Sequence, residues 1–187
     1  MMGAVYVALM HGEVVDKTGE EKASSLTHFD LHDIARSCRS YGVARYFVVT
    51  PLETMRYLAQ RMISYWNAGI GNYSIPNRGQ ALEVVDVVTS LDEVLQAIWA
   101  RHHERARIVA TSARKQASQI TYRGLAEDIR SQKTPVLLLF GTAYGLSSRC
   151  IEQCDNTLPP IRDGRWNHFS VRSAVAITLE RLIGEDG

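Results

Sequence analysis

The sequence predicts an α/β fold, with a mostly parallel sheet and helices on both of its faces. Short apolar runs recur along the chain and alternate with longer segments whose apolar residues follow helical spacing. The 187 residues are 45% hydrophobic and 22% charged, an ordinary composition for a globular protein. We therefore expect a single domain over residues 1–187, with ligands bound beyond the carboxyl ends of the strands.

The first strands and the first helix are predicted from a regular pattern. Residues 5–10 form an apolar run, and a connector rich in glycine and charge follows it. Thr27, with Asp30 three residues later, resembles a capping box for a helix that ends at Gly42. Residues 45–50 (RYFVVT) then predict the second strand.

The middle of the chain predicts two further strands and a long loop. Pro51 is placed to open a helix. Residues 67–78 are rich in Gly, Asn and Pro and predict the longest loop, and loops of that length are often functional. Residues 82–88 predict a third strand, Ser90 caps the following helix, and residues 107–110 predict a fourth strand.

The last third of the chain predicts a helix over residues 122–132 and the most apolar strand at residues 135–140. Residues 155–161 are short and rich in proline, and a final helix is expected from about residue 170 to residue 182. The apolar side chains of Val175, Ile177 and Leu179 in this helix suit either the core or a subunit interface.

Composition narrows the class of protein. No run reaches the roughly 18 apolar residues that a membrane span needs. The apolar start lacks a basic leader and a cleavage site, which indicates a first strand instead of a signal peptide. Three cysteines, an odd number, favour a reducing compartment, and we expect a cytoplasmic protein. Cys150 and Cys154 lie four apart in a predicted helix, where they could share a face. No second ligand pair follows, so buried thiols are expected and no metal site.

The net charge of +1 argues neither for nor against a nucleic-acid partner, but its distribution is uneven. Residues 101–133 carry eight arginines and lysines against three acidic residues. Arginine suits bidentate contacts with phosphate, which favours RNA. The alternative is a solvated helix face with ion pairs.

Glycine and small polar residues follow two of the predicted strands. Residues 111–113 follow the fourth strand and residues 141–145 (GTAYG) follow the fifth. A glycine directly after a buried strand lets a ligand approach the backbone closely, and a helix near Gly145 would offer free N–H groups, although a structural turn explains the same pattern. The motif is neither a Walker loop nor a dinucleotide fingerprint.

Three segments in the last third of the chain, PVLLLFGTAYGLS, DNTLPPI and NHFSVRSAVAITLERL, carry a family resemblance. In this order they resemble the C-terminal signature of the SPOUT superfamily of S-adenosylmethionine-dependent RNA methyltransferases. The resemblance is closest to a small bacterial group similar to the C-terminal part of some tRNA guanine-N1 methyltransferases. It extends to VYVALMHGEVVDKTGE and LTHFDLHDIARSCRSYGVARYFVVTP, and so covers essentially the whole chain.

The resemblance implies a deep C-terminal trefoil knot, a homodimer formed through the knot, and methylation of tRNA or rRNA. It also implies that S-adenosylmethionine binds in the knot, with three loops forming the pocket. The cofactor-binding residues that it implies are Thr111, Ser112, Ala113, Gly141, Thr142, Leu158, Ile161, Asn167, Ser170 and Val171.

The segment DLHDIARSCRSYGV resembles the first motif of the ribose 2′-O-methylating branch. Arg36 falls on the arginine that binds RNA phosphate and activates the ribose hydroxyl, and Asp30 falls on the asparagine. Ala143 and Ser170 depart from the acidic residue and the asparagine of the later motifs, so base and ribose methylation both stay open. An ion pair of Arg36 with Asp30 or Asp33 is the structural alternative.

His28 and His32 lie four residues apart on one helical face, so His32 is a candidate general base. A zinc pair and plain capping or surface roles are the alternatives. Asn167 is the third candidate catalytic residue, expected to cap the last helix and shape the pocket.

Four further side chains are assigned by type. Arg172 is expected to pair with an acidic group in the same knot or across a dimer interface. Trp66, Tyr73 and Trp166 suit stacking on an unpaired base or simple packing.

Two other functions remain open at this point. The first is a non-catalytic module that binds S-adenosylmethionine and RNA. The second is a methyltransferase of a small molecule or protein, against which the basic stretch argues.

Overall fold

A computed structural model describes residues 3–68, 71, 73, 75–164 and 166–184. Its centre is a six-stranded parallel sheet in the order β5-β4-β1-β7-β6-β8. A short antiparallel hairpin, β2–β3, lies apart from it. The strands are β1 Val5–Met10, β2 Val14–Val15, β3 Glu21–Lys22, β4 Arg45–Val49, β5 Val85–Val88, β6 Arg107–Ala110, β7 Val136–Gly141 and β8 Asn156–Thr157.

Helices cover both faces of the sheet, because alternate side chains of each buried strand feed two separate cores. In β1, Val5, Val7 and Leu9 belong to one apolar cluster, whereas Tyr6 and Ala8 belong to the other. The helices are α1 His28–Ser40, α2 Glu53–Ala68, α3 Pro76–Leu82, α4 Leu91–His102, α5 Tyr122–Ser131, α6 Ser148–Glu152 and α7 Val171–Ile183. Helices α1, α5 and α7 contribute to the first cluster, and α4 and α6 to the second. The predicted fold class is confirmed.

Several predicted boundaries are wrong. Helix α2 runs to Ala68 and α3 begins at Pro76, so helices take both ends of the loop expected over residues 67–78. The reason is packing, because a Cβ on Gly79 of α3 would lie 2.5 Å from the carbonyl oxygen of Trp66 in α2. The strand expected from residue 82 begins only at Val85, since Leu82 ends α3.

Other corrections are local. The helix expected to open at Pro51 begins at Glu53, and the connector after β1 contains the hairpin β2–β3. Cys150 lies in α6, whereas Cys154 follows the end of that helix. Val175 and Leu179 are buried in the first core, so they are not available to a subunit interface.

The short strand β8 is enclosed on both sides, which fixes the loop after β6. Thr157 lies opposite Ala110 of β6, and on its other side it bridges Gln119. The Thr157 amide donates to the Ser118 carbonyl at 3.1 Å, and the Thr157 carbonyl accepts from Ile120 at 2.9 Å. The chain after β6 therefore wraps over β8, and the expected trefoil knot stays a prediction.

No helix in the described ranges combines the length and the apolar content that a membrane crossing requires.

Candidate functional site

A cleft of about 870 Å³ opens at the carboxyl ends of β1, β6 and β7, where parallel sheets bind their ligands. Four segments form its walls: the stretch before and into α1, the loop after β6, the loop after β7, and the chain leading into α7. The residues that line it include Ser24, Thr27, Asp30, Thr111, Ser112, Ala113, Arg114, Phe140, Gly141, Thr142, Tyr144, Leu146, Ile151, Ile161, Asn167, His168, Phe169, Ser170, Val171, Arg172 and Ala174. Nine of the ten residues that the resemblance implies for the cofactor pocket lie here together.

The loop after β6 is fixed by hydrogen bonds to neighbouring segments. The backbone N–H and the hydroxyl of Thr111 both donate to the Leu139 carbonyl at 2.9 Å. The Ser112 hydroxyl accepts from the Arg114 amide at 3.0 Å. The Asn167 side chain donates to the Ala113 carbonyl at 3.1 Å, so this loop and the chain before α7 form one wall.

The loop after β7 is a tight turn whose glycine has a different purpose from the expected one. A Cβ on Gly141 would lie 2.6 Å from the Leu146 amide nitrogen, so the missing side chain makes room for the loop's own backbone instead of a ligand. Gly145 has a φ of +106°, which favours glycine, and its amide donates to the Thr142 carbonyl at 2.9 Å. The Gly145 carbonyl accepts from Val15, which holds the turn against β2.

The wall at α7 is capped by a different residue from the expected Asn167. Helix α7 starts at Val171, and the hydroxyl of Ser170 caps it by accepting from the Ser173 amide at 3.3 Å. Asn167 therefore braces the loop after β6 instead of capping the helix. Leu158 is the one exception among the ten pocket residues, because its side chain is fully buried in the core.

A hydrogen-bonded relay beneath the cleft involves a histidine that the sequence analysis did not single out. His11 follows β1 and is fully buried. Its Nδ1 lies 2.9 Å from the Ser24 hydroxyl, which lies 2.5 Å from the Thr142 hydroxyl, and Thr142 donates to the Met10 carbonyl at 2.9 Å. Since Thr142 has one hydrogen to give, Ser24 donates to Thr142 and His11 donates from Nδ1 to Ser24.

These hydrogen bonds require that Nδ1 of His11 carries the ring hydrogen, so Nε2 is an unprotonated acceptor. That atom is buried and has no hydrogen-bond partner among the described residues. Burial lowers the pKa of His11 to about 4, with the negative charge of Asp30 acting weakly in the opposite direction. His11 is therefore neutral at physiological pH and holds Thr142, a residue of the cleft wall, in one orientation.

A buried carboxylate faces the cleft from the first turn of α1. Asp30 is 8% exposed, its Oδ2 accepts from the Thr27 hydroxyl at 2.6 Å, and Thr27 also caps the helix as predicted. Arg172 of α7 contacts Asp30 Oδ1 at 3.4 Å and Asp33 Oδ2 at 3.4 Å. Arg172 is thus paired with acidic groups of its own chain. Asp30 and Asp33, the carboxylates expected to pair with Arg36, are therefore paired with Arg172.

Two of the three candidate catalytic residues lie outside the cleft. Arg36 is exposed on α1, and the described part of the chain gives it no ion pair with Asp30 or Asp33. His32 is buried with its ring edge against Trp66, at 5.7 Å between ring centroids. Burial, followed by the positive charge of Arg78, lowers the pKa of His32. Only Asn167 lies in the cleft.

The three aromatic side chains assigned to base stacking differ in their exposure to solvent. Trp66 is half-buried against the core, whereas Tyr73 and Trp166 are 94% and 78% exposed. His28 and His32 have no third ligand beside them, since no group of three metal-ligating side chains occurs in the described residues.

Several side chains of the basic stretch over residues 101–133 form ion pairs. These are Arg105 with Asp155, Arg107 with Asp128, Lys115 with Asp163 and Arg123 with Glu127. Arg114, by contrast, faces the cleft.

A parallel sheet with a deep cleft at its carboxyl edge defines an α/β protein of the cofactor-binding class. Residues 4–184 match the family described as SAM-dependent RNA methyltransferase, and the chain belongs to that family. The resemblance in the sequence is confirmed.

The chain is similar to proteins of two kinds. It is 40% identical over 183 residues to a tRNA (guanine-N(1)-)-methyltransferase of Oleidesulfovibrio alaskensis, which covers 97% of this chain and 42% of that protein. It is 37% identical to an uncharacterized protein of Aquifex aeolicus, covering 97% of this chain and 89% of that one. The chain thus spans less than half of the first relative.

The fold is also similar to a solved structure, the SpoU methyltransferase AviRb from Streptomyces viridochromogenes in complex with AdoMet. The TM-score is 0.60 at 16% identity, over 98% of this chain and 58% of that one.

The residues of the cleft fit S-adenosylmethionine. Its volume lies within the range of small-molecule sites. Phe140, Leu146 and Ile161 offer apolar surface for the adenine, and the hydroxyl groups of the walls suit the ribose and the amino-acid end. Asp30 provides a negative charge for a cofactor that carries a positive sulfonium.

Proposed function

We propose that this chain transfers the methyl group of S-adenosylmethionine to a nucleotide of tRNA or rRNA, with the cofactor held in the cleft. The observation that carries the proposal is the convergence of four separate segments of the chain on one cleft at the carboxyl edge of the sheet. Family membership supplies the chemistry, and the name of the relative from Oleidesulfovibrio alaskensis favours tRNA.

S-adenosylmethionine supplies an electrophilic methyl group when bound, so the protein has to orient the acceptor and receive its proton. Asp30 suits the second task, because its carboxylate is buried, faces the cleft and is held by Thr27 and Arg172. Asn167 and Ser112 suit the first, because both lie in the walls on braced loops. The relay from His11 keeps Thr142 in place in the opposite wall.

Arg36 is proposed to act on the RNA instead of the cofactor, and the buried His32 is proposed to support the exposed side chains of α1 around it. Both lie on α1 next to the cleft but outside its lining. The described residues show no ion pair between the exposed Arg36 guanidinium and Asp30 or Asp33, so it is suited to a phosphate.

Three features of the assembly belong to the proposal. A trefoil knot is supported by the passage of β8 between β6 and residues 118–120. A homodimer is supported by exposed aromatic side chains at the cleft, Tyr144 at 59% and Phe169 at 42% exposure. A cytoplasmic location is supported by three cysteines that are all free thiols.

Calorimetric titration with S-adenosylmethionine tests where the cofactor binds. Ala174 lines the cleft from α7, so Ala174→Phe places a ring in the space meant for the cofactor. Ala174→Ser is the matched control, because it changes the same position by one small atom. We expect wild type and Ala174→Ser to bind with similar affinity and Ala174→Phe to lose binding at least about tenfold.

Circular dichroism of the three proteins shows whether each is folded. Folded wild-type protein that does not bind the cofactor contradicts the proposal. Equal binding by Ala174→Phe places the cofactor somewhere other than this cleft.

A further inference from the structure

A continuous row of rings and guanidinium groups leads from the cleft along α1 to α2 and α3. We call it the aromatic strip; its members are Arg172, Phe29, His28, His32, Trp66 and Arg78. The Arg172 guanidinium lies 5.5 Å from the Phe29 ring centre, and His28 lies 3.9 Å from Phe29. His28 and His32 are 6.4 Å apart, and His32 and Trp66 are 5.7 Å apart. Arg78 closes the row over Trp66 at 4.5 Å.

The aromatic strip is exposed to solvent at Phe29, near the end next to the cleft, and packs against the core at Trp66, near the other end. Phe29 is 55% exposed, so a large part of its ring is accessible to a ligand. His32 is buried and Trp66 is half-buried against the core, so they support the exposed rings from below. The strip is therefore a surface whose outer rings are held in place.

Positive charge accompanies the rings. Arg36 follows His32 by one helical turn on the same face of α1 and is exposed. The negative charge of the neighbouring Asp33 is balanced, because Arg172 pairs with it at 3.4 Å. A run of aromatic rings with a guanidinium group at each end, and with Arg36 beside it, matches the stacked bases and phosphates of an unpaired strand, whereas a duplex hides its bases.

The position of Arg172 connects the strip to the cleft. Arg172 lines the cleft and contacts Asp30, while its guanidinium also lies over Phe29. A nucleotide that enters the cleft would therefore leave its neighbours in the chain beside Phe29 and His28.

We propose that the aromatic strip binds unpaired nucleotides next to the methylated one, so that the substrate is a single-stranded loop or end of the RNA. This rests on the proposed function. Phe29 is the stacking surface for a base, and Arg36 contacts the backbone phosphate beside it.

The test measures binding of labelled RNA by fluorescence anisotropy without cofactor. The probes are a single-stranded RNA of about twelve nucleotides and a blunt duplex of the same sequence. We expect wild type to prefer the single strand. Phe29→Ala should weaken that binding about 5- to 100-fold, and Phe29→Tyr, which keeps the ring, should stay near wild type. Arg36→Ala should reduce the slope of log affinity against log salt by about one.

Trp99→Ala is the control, because Trp99 is 54% exposed on α4, across the sheet from the strip. It should bind the single strand like wild type. All variants should bind S-adenosylmethionine like wild type, since none of the exchanged side chains lines the cleft. Cofactor binding therefore shows whether the proposed cofactor site is wrong, and RNA binding shows separately whether the proposed role of the aromatic strip is wrong.

Three results would overturn the proposal. They are unchanged RNA affinity of Phe29→Ala, equal affinity of wild type for duplex and single strand, and an RNA loss in Trp99→Ala as large as that in Phe29→Ala. Sedimentation velocity adds a fourth, because a Phe29→Ala protein that dissociates from dimer to monomer would make the strip an interface between copies.

Discussion

Acidification is expected to destabilise the protein through His11. The folded chain keeps this ring neutral down to a pKa of about 4, whereas the unfolded chain protonates it near the ordinary value of 6.5. Between these two pH values the unfolded state binds more protons, so the free energy of unfolding falls as the pH falls. The cause is local: Nδ1 already donates to Ser24, and an added proton on the buried Nε2 has no acceptor among the described residues.

The magnitude follows from the shift of the pKa. Linkage of a pKa that falls from 6.5 to about 4 gives a loss of about 1.4 kcal/mol near pH 5.5 and about 2.5 kcal/mol near pH 4.5. Relative to an ordinary stability of about 5–15 kcal/mol, the second value is large.

Urea unfolding of wild type and His11→Asn between about pH 4.5 and 7.5 measures this contribution. Asparagine retains an N–H donor for Ser24 but does not titrate. Other groups, such as His32, titrate in both proteins and cancel in the difference. We expect the advantage of wild type over His11→Asn to shrink by about 2.5 kcal/mol over the acid range. A difference that stays constant with pH would refute both the buried neutral histidine and the relay built on it.

Three further exchanges have expected outcomes. Gly141→Ala should lower the free energy of unfolding by about 1–3 kcal/mol in urea titrations, because the added Cβ lies 2.6 Å from the Leu146 nitrogen; stability equal to wild type would contradict the account of this turn. Leu138→Ala, in the centre of β7, should cost about 2–5 kcal/mol in the same assay, since the side chain is fully buried, and a loss below that range would mean that the core collapses around the cavity. Asp30→Asn should slow methyl transfer about 100-fold or more in single-turnover assays if Asp30 receives the proton, whereas Asp33→Asn should retain the rate; equal rates for the two variants would remove that role.

The sequence predicted the sheet and its helices because the buried strands are short and uniformly apolar. Residues 5–10 and 107–110 coincide with β1 and β6, and β7 is displaced from its expected range by one residue. Thr27 and Ser90 cap their helices as predicted, since a hydroxyl at the first turn is a local signal.

Elements decided by tertiary contacts were missed. The composition of residues 67–78 indicates a loop, but the contact of Gly79 with the Trp66 carbonyl places α3 at its end. Strand β8 has only two residues and exists because Thr157 bonds on both sides, to β6 and to the chain after it. A sequence pattern over a few neighbouring residues cannot reveal either of these contacts, because each joins residues that are distant in sequence.

The candidate site divides in the same way. Residues that follow strands, such as Thr111 and Thr142, were predictable because the carboxyl ends of parallel strands meet at one edge. The relay from His11 was not, because it joins positions more than a hundred residues apart through Ser24. A histidine directly after a buried strand is the one local signal that could have suggested it.

Transfer of a labelled methyl group from S-adenosylmethionine to RNA tests the central claim most directly. Wild type and Ala174→Phe are incubated with unmodified tRNA and rRNA transcripts, and the labelled nucleotide is identified after digestion by mass spectrometry. We predict label in RNA with wild type and none with Ala174→Phe. Wild-type protein that binds the cofactor but labels none of these RNAs would contradict methyl transfer, leaving a chain that binds S-adenosylmethionine without catalysis.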